Sequence, residues 1–164
     1  MSEEVLATVS ASAPRRWMAV GIMGILGALL LYIAMTTPPA VLGWQVFLIV
    51  LGIVALVFAD KTRRATERVV ELTAQGLRDS TGTVIAPLAD IDRINRGMFA
   101  MKPSNGFTLV LKHGRDRSWQ PGLWWAIGKR VGIGGVTPGS QTKFMAQMLE
   151  AMVAEARAQD DQTS

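Results

Sequence analysis

The reactive side chains of this 164-residue chain are few, and they do not gather. There is no cysteine and only one histidine. That removes disulfides, thiolate nucleophiles, zinc fingers and iron–sulfur sites. His113 is the single imidazole base, with Asp116 close behind it, but no Gly-x-Ser-x-Gly elbow accompanies it. A solvated turn histidine is the simpler reading. Asp90-x-Asp92 offers two carboxylates that would hold a hard cation only weakly, and basic Arg93 follows at once. The run from Gly122 to Lys129 imitates a phosphate loop. Its spacer has five residues where four are required, and Arg130 stands where Ser or Thr would bind Mg²⁺. Gly132-Ile133-Gly134-Gly135 reads as a tight turn or bulge between strands. No metal, cofactor or small-molecule substrate is expected from these parts. The chain reads as a non-enzyme, and a small membrane hydrolase using Asp90, Asp92 and His113 is the catalytic alternative.

Charge says more than catalysis does. Residues 91–130 carry Arg93, Arg96, Lys102, Lys112, Arg115, Arg117, Lys129 and Arg130 against Asp92 and Asp116. That stretch is +6, while residues 65–90 and 131–164 are each −2 and the whole chain is +4. Trp119, Trp124 and Trp125 lie in the same stretch. Each basic residue near an anionic leaflet contributes about 1 kcal/mol, and tryptophan favours the membrane interface. These eleven residues are the candidate lipid- or partner-binding set. The competing reading is ordinary solvated charge with tryptophans in a core. Nucleic acid is not an expected partner, because no evident recognition helix carries the charge.

The elements that must position these residues begin with the apolar excess. Hydrophobic residues make up 49% of the chain and charged residues 18%, against roughly a quarter charged in typical globular proteins. The excess is concentrated in residues 17–35, which carry no charge, and 41–59, where Gln45 is the only strongly polar member. At about 1.5 Å per residue, each run matches the ~30 Å hydrocarbon core as a helix. Pro38-Pro39 separates them. An antiparallel transmembrane hairpin follows. Arg15 and Arg16 precede it, Lys61, Arg63 and Arg64 follow it, and its loop carries no charge. That asymmetry predicts two spans with both termini cytoplasmic, in a bacterial inner membrane. A twin-arginine export signal cleaved near Ala40, or two buried core helices, are the alternatives. Gly21, Gly24 and Ala28 form one smooth helix face, expected to pack on the second helix or on another membrane protein. No Asp, Glu, Lys, Arg or His interrupts either run, which speaks against a proton or ion pathway.

The expected layout is a flexible N-terminus (1–14), a hairpin (15–64), a cytoplasmic domain (65–158) and a frayed end (159–164). The domain reads as α+β. Residues 69–73, 77–79 and 83–88 are short strand candidates between turns, and Phe107, Leu109 and Leu111 alternate as a half-buried strand. That strand is expected to pair with residues 98–102. Residues 91–98 fit helix and strand spacing equally. His113-Gly114-Arg115-Asp116 and Gln120-Pro121-Gly122 are expected turns. After Pro138, Ser140 can cap a helix with an apolar stripe of Phe144, Met145, Met148, Leu149, Met152, Val153 and Ala156.

The segments Glu71-Leu72-Thr73, Gly76-Leu77 and Pro87-Leu88-Ala89-Asp90-Ile91, placed after a transmembrane hairpin, resemble a family of small bacterial membrane proteins with a cytoplasmic pleckstrin-homology-like (PH-like) domain. The resemblance covers residues 15–112 and the terminal helix, and residues 119–136 have no counterpart in it. It implies an antiparallel β barrel or sandwich closed by one C-terminal amphipathic helix. It also implies binding to proteins or lipids, and it carries over no catalytic residue. The expected function is a membrane-anchored, non-enzymatic interaction module, an accessory or assembly subunit of an inner-membrane complex. Its partners would be membrane lipids and another membrane protein or a second copy. The alternative is an anionic-lipid headgroup-binding domain.

Overall fold

The computed structural model describes residues 4–97 and 103–163. It divides into two compact units, residues 13–64 and residues 1–12 with 65–164.

The first unit is a pair of 24-residue helices, α1 (Ala13–Thr36) and α2 (Leu42–Ala65). Both are long and apolar enough to cross a membrane, and only 11% of each apolar window is buried. Neither is therefore a core helix. The pair packs tightly at Gly27 and Gly52. A Cβ on Gly27 would come within 2.8 Å of the Leu56 side chain and 2.9 Å of the Gly52 carbonyl. One on Gly52 would meet Leu31 at 2.9 Å and the Gly27 carbonyl at 3.0 Å. Only glycine permits that spacing. The expected face does not make this contact: Gly21 and Gly24 look onto open space and Ala28 is exposed. Periodicity finds a small-residue face, but which face meets the partner helix depends on the crossing geometry. At the loop end, the Gln45 amide donates to the Ala34 carbonyl at 3.0 Å. The one strongly polar side chain of residues 41–59 is thereby satisfied. At the other end, Asp60 pairs with Arg64 at 2.8 Å and with Arg63 at 3.6 Å.

The second unit is α+β. Its strands are β1 (Val5–Ser10), β2 (Val69–Thr73), β3 (Gly76–Asp79), β4 (Val84–Pro87), β5 (Ile91–Asn95), β6 (Phe107–Gln120) and β7 (Trp124–Ile133). They form two antiparallel sheets, ordered β1-β2-β3-β4 and β5-β6-β7, and α3 (Gly139–Thr163) ends the chain. The expected strands at 69–73, 77–79 and 83–88 correspond to β2, β3 and β4. The ambiguous segment is β5, which fills its place because Ile91 packs in the core while Arg93 and Asn95 face outward. The expected partner strand at 98–102 lies outside the described residues.

Three expectations change. The N-terminus is not a flexible lead-in: residues 5–10 form β1, with Ala7 and Val9 in the core and Ser10 opposite Val69. Its alternating Val-Leu-Ala-Thr-Val-Ser is too short and weakly apolar to announce a strand without its neighbour. The turn expected at 113–116 lies within β6, where the register slips between Val110 and Arg115 and again before Ser118. Bulges of this kind absorb turn-like residues without ending a strand. Gly128 takes the complementary irregularity on β7, at a φ of 57° that favours glycine. Residues 159–163 continue α3 and do not fray.

Phe107, Leu109 and Leu111 alternate as expected, but Thr108 between them is buried too, so β6 has no wet face there. The α3 stripe docks through Met145, Leu149 and Val153, with Met148 and Met152 beside them, while Phe144 is exposed. Ala146 joins the core.

Candidate functional site

The eleven residues of the basic, tryptophan-bearing stretch do not form one face. Trp124 is 2% exposed and belongs to the core. Arg115 is turned inward: its guanidinium donates to the carbonyls of Ile85 and, at 2.6 Å, of Val84. It satisfies carbonyls of β4 from β6, tying the two sheets together. Arg96 pairs with Glu150 of α3 at 2.9 Å, and Arg93 with Asp92 at 3.3 Å. Asp92 also receives Arg157, whose guanidinium donates to its backbone carbonyl and lies 3.8 Å from its carboxylate. These arginines staple neighbouring segments. Lys112 borders a cavity of about 440 Å³ that Arg157 and Asp160 also line. Lys102 lies outside the described residues.

What remains converges on one place, the outer half of the β6–β7 hairpin. Trp119 stands directly across from Trp125. Such cross-strand pairs point to the same face of the sheet. Alternation adds Arg117 on β6 and Ile127 on β7 to that face. These four residues together line a shallow cavity of about 380 Å³. Trp119 is 48% exposed and Ile127 53%. The indole of Trp125 lies over Gly132, where a Cβ would collide with it. Trp125 is thereby held as the floor while Trp119 and Ile127 stand out. Lys129 and Arg130 are exposed and follow Ile127 along β7. Among the described residues, Arg117, Lys129 and Arg130 have no carboxylate partner. Charge that is met at Arg93, Arg96 and Arg115 is left open here, as it is at Lys112 and Lys143.

Ile127 is the residue that composition overlooks. Its signal is its place two residues beyond Trp125 on a strand, since an exposed isoleucine at period 2 from a half-buried tryptophan extends the same apolar face. The hairpin tip, by contrast, is not free. Leu123 is buried, its carbonyl accepts from the Gly134 N–H at 2.8 Å, and the Gly122 carbonyl accepts from Val136 N–H at 3.0 Å. The tip is pinned to the end of β7, so the exposed middle of the hairpin is held at both ends.

The carboxylates are used structurally. Asp90 accepts the His113 backbone N–H at 3.1 Å and lies 2.6 Å from its Nδ1. The pair joins the 3-10 turn Leu88–Asp90 to β6, and the histidine ring remains exposed. Asp79, the last residue of β3, is fully buried and accepts the Thr81 hydroxyl, the Thr81 N–H at 2.9 Å, the Thr83 N–H at 3.2 Å and Arg68 at 3.1 Å. Burial alone would raise its pKa. The bonds from Thr81, Arg68 and Thr83 outweigh that and hold the carboxyl below its ordinary value. Among the described residues, no three His, Asp or Glu side chains gather where they could hold a metal ion. A third open cavity, about 530 Å³, lies between the start of α3 and residues 105–107, with Arg96 and Lys143 at its rim. No protein-family model, curated protein or solved structure matches the chain.

Proposed function

We propose that the chain is a membrane-anchored, non-enzymatic interaction module, a PH-like domain carried on a two-span hairpin, serving as an accessory or assembly subunit of an inner-membrane complex. The observation that carries this reading is the strand order: four antiparallel strands, then three, then one amphipathic helix against the core. The resemblance of residues 71–91 implies antiparallel strands followed by one C-terminal helix, and this order is compatible with it. In this reading the hairpin is an insertion between β1 and β2, whose ends pair at Ser10 and Val69. The chain leaves the domain and returns to it at one point, so both feet of the hairpin belong on one side of the membrane. The five basic residues flanking the spans favour the cytoplasmic side. The open face of Gly21 and Gly24 supports a further contact within the bilayer, because small residues let another helix approach closely.

Crosslinking in intact membranes, followed by native mass analysis in mild detergent, tests the reading. The expected result is a reproducible heteromeric or homomeric assembly. A strictly monomeric protein with no partner in both measurements overturns it.

A further inference from the structure

We propose that the outer half of the β6–β7 hairpin is a second membrane anchor, which lies on the anionic leaflet with Trp119 and Ile127 at the headgroup–acyl boundary and Arg117, Lys129 and Arg130 on lipid phosphates. The inference rests on the hairpin of α1 and α2 crossing the bilayer. It does not depend on the identity of any protein partner.

Three independent features of the surface point to a bilayer. The first is composition: two tryptophans and an isoleucine side by side with Arg117, and exposed Lys129 and Arg130 next along β7. Tryptophan is suited to the interface because its ring is apolar and its indole N–H can remain hydrated or bonded. The second is that these cations are unclaimed. Arg93, Arg96 and Arg115 have carboxylates or carbonyls of the chain as partners, whereas Arg117, Lys129 and Arg130 have none among the described residues. A merely acidic partner would meet the cations and leave the exposed Trp119 and Ile127 without an apolar surface. An anionic leaflet uses both. The third is connectivity. Only residues 11–12 separate β1 from α1, and residues 66–68 separate α2 from β2. Two tethers this short keep the domain at high effective concentration beside the lipid. A patch too small for tight docking from solution is then sufficient. Rigidity completes the case, because the pinned tip and the Trp125–Gly132 contact fix the exposed residues before docking.

The chain has no natural cysteine, so single nitroxide labels can be placed on the full-length protein without background. I127C reports the patch, A151C on the exposed side of α3 reports water, and V50C reports the middle of α2. The variants are compared in nanodiscs of phosphatidylcholine alone and with about 30% phosphatidylglycerol, by collision with oxygen and with a water-soluble nickel chelate. In anionic discs the label at 127 is expected to favour oxygen and to be shielded from nickel relative to the label at 151. Adding R117E, K129E and R130E is expected to shift the docked-to-undocked ratio by roughly a hundredfold or more, returning the label to water. A label at 127 as wet as that at 151, with the label at 50 dry, overturns the inference and leaves the hairpin reading standing. Shielding that is equal in neutral and anionic discs and indifferent to charge reversal also overturns it, and points to a protein contact. A wet label at 50 overturns both readings.

Discussion

Asp79 shows how much one side chain of this domain carries. A buried carboxylate costs free energy unless its charge is met, and here three N–H or hydroxyl donors and Arg68 meet it. Its lowered pKa makes it a stabilising group above the ordinary carboxylate value of 3.8, and that stabilisation is lost as pH falls through the native value. D79N is expected to lower unfolding free energy by about 2 kcal/mol at neutral pH, and the gap to the unsubstituted protein is expected to close under acid. Denaturant titrations at neutral and acidic pH measure this. Arg115 makes a parallel point. R115A leaves the carbonyls of Val84 and Ile85 without their donor and is expected to cost about 1–3 kcal/mol. R117A, which breaks no intramolecular bond, is expected to leave the denaturation midpoint unchanged. Composition could not separate these two arginines, nor Trp124 from Trp119. Each pair is chemically alike and near in sequence, and only the pairing of β6 with β7, with its register shift between Arg115 and Ser118, sets which member turns inward.

Among the elements, β1 changes the domain boundaries most. Residues 65–164 alone would expose the edge of β2 and lose Val9, whose burial stabilises by about 2 kcal/mol. That fragment is expected to aggregate or to melt without cooperativity. Residues 4–12 joined by a short glycine-serine linker to residue 65 are expected to restore one cooperative transition, since Ser10 and Val69 already face each other. Circular dichroism melts of the two chains check this. Strands β2, β3 and β4 could be read from turn punctuation because each is bounded by Gly, Ser or Pro. The stripe of α3 could be read because it repeats at helical spacing, although Phe144 fell on its wet edge. The reach of β6 through Gly114 could not, because a glycine after a histidine carries turn chemistry wherever no partner strand overrides it.

At the level of the whole molecule, the hairpin interrupts a sheet. β1 is made first but has nothing to pair with until both helices have been synthesised and β2 follows. The same connectivity gives the proposed topology a direct check. Cysteines placed at Thr37 and at Glu155 are expected to react with a membrane-impermeant maleimide from opposite sides of the membrane. Reaction of both from the same side would contradict two spans.

The hairpin, the charge concentrated in residues 91–130 and the amphipathic final helix could all be read without coordinates. Each is a property of consecutive or locally periodic residues: an apolar run suited to lipid needs no partner to be recognised. What depended on residues far apart could not be read this way. The pairing of β1 with β2 across 58 residues of intervening chain, the Gly27–Gly52 approach and the inward turn of Arg115 belong to this group, as does the meeting of Arg117, Trp119, Trp125 and Ile127 on one face. They follow from register, and a single bulge reverses which side of a strand faces out.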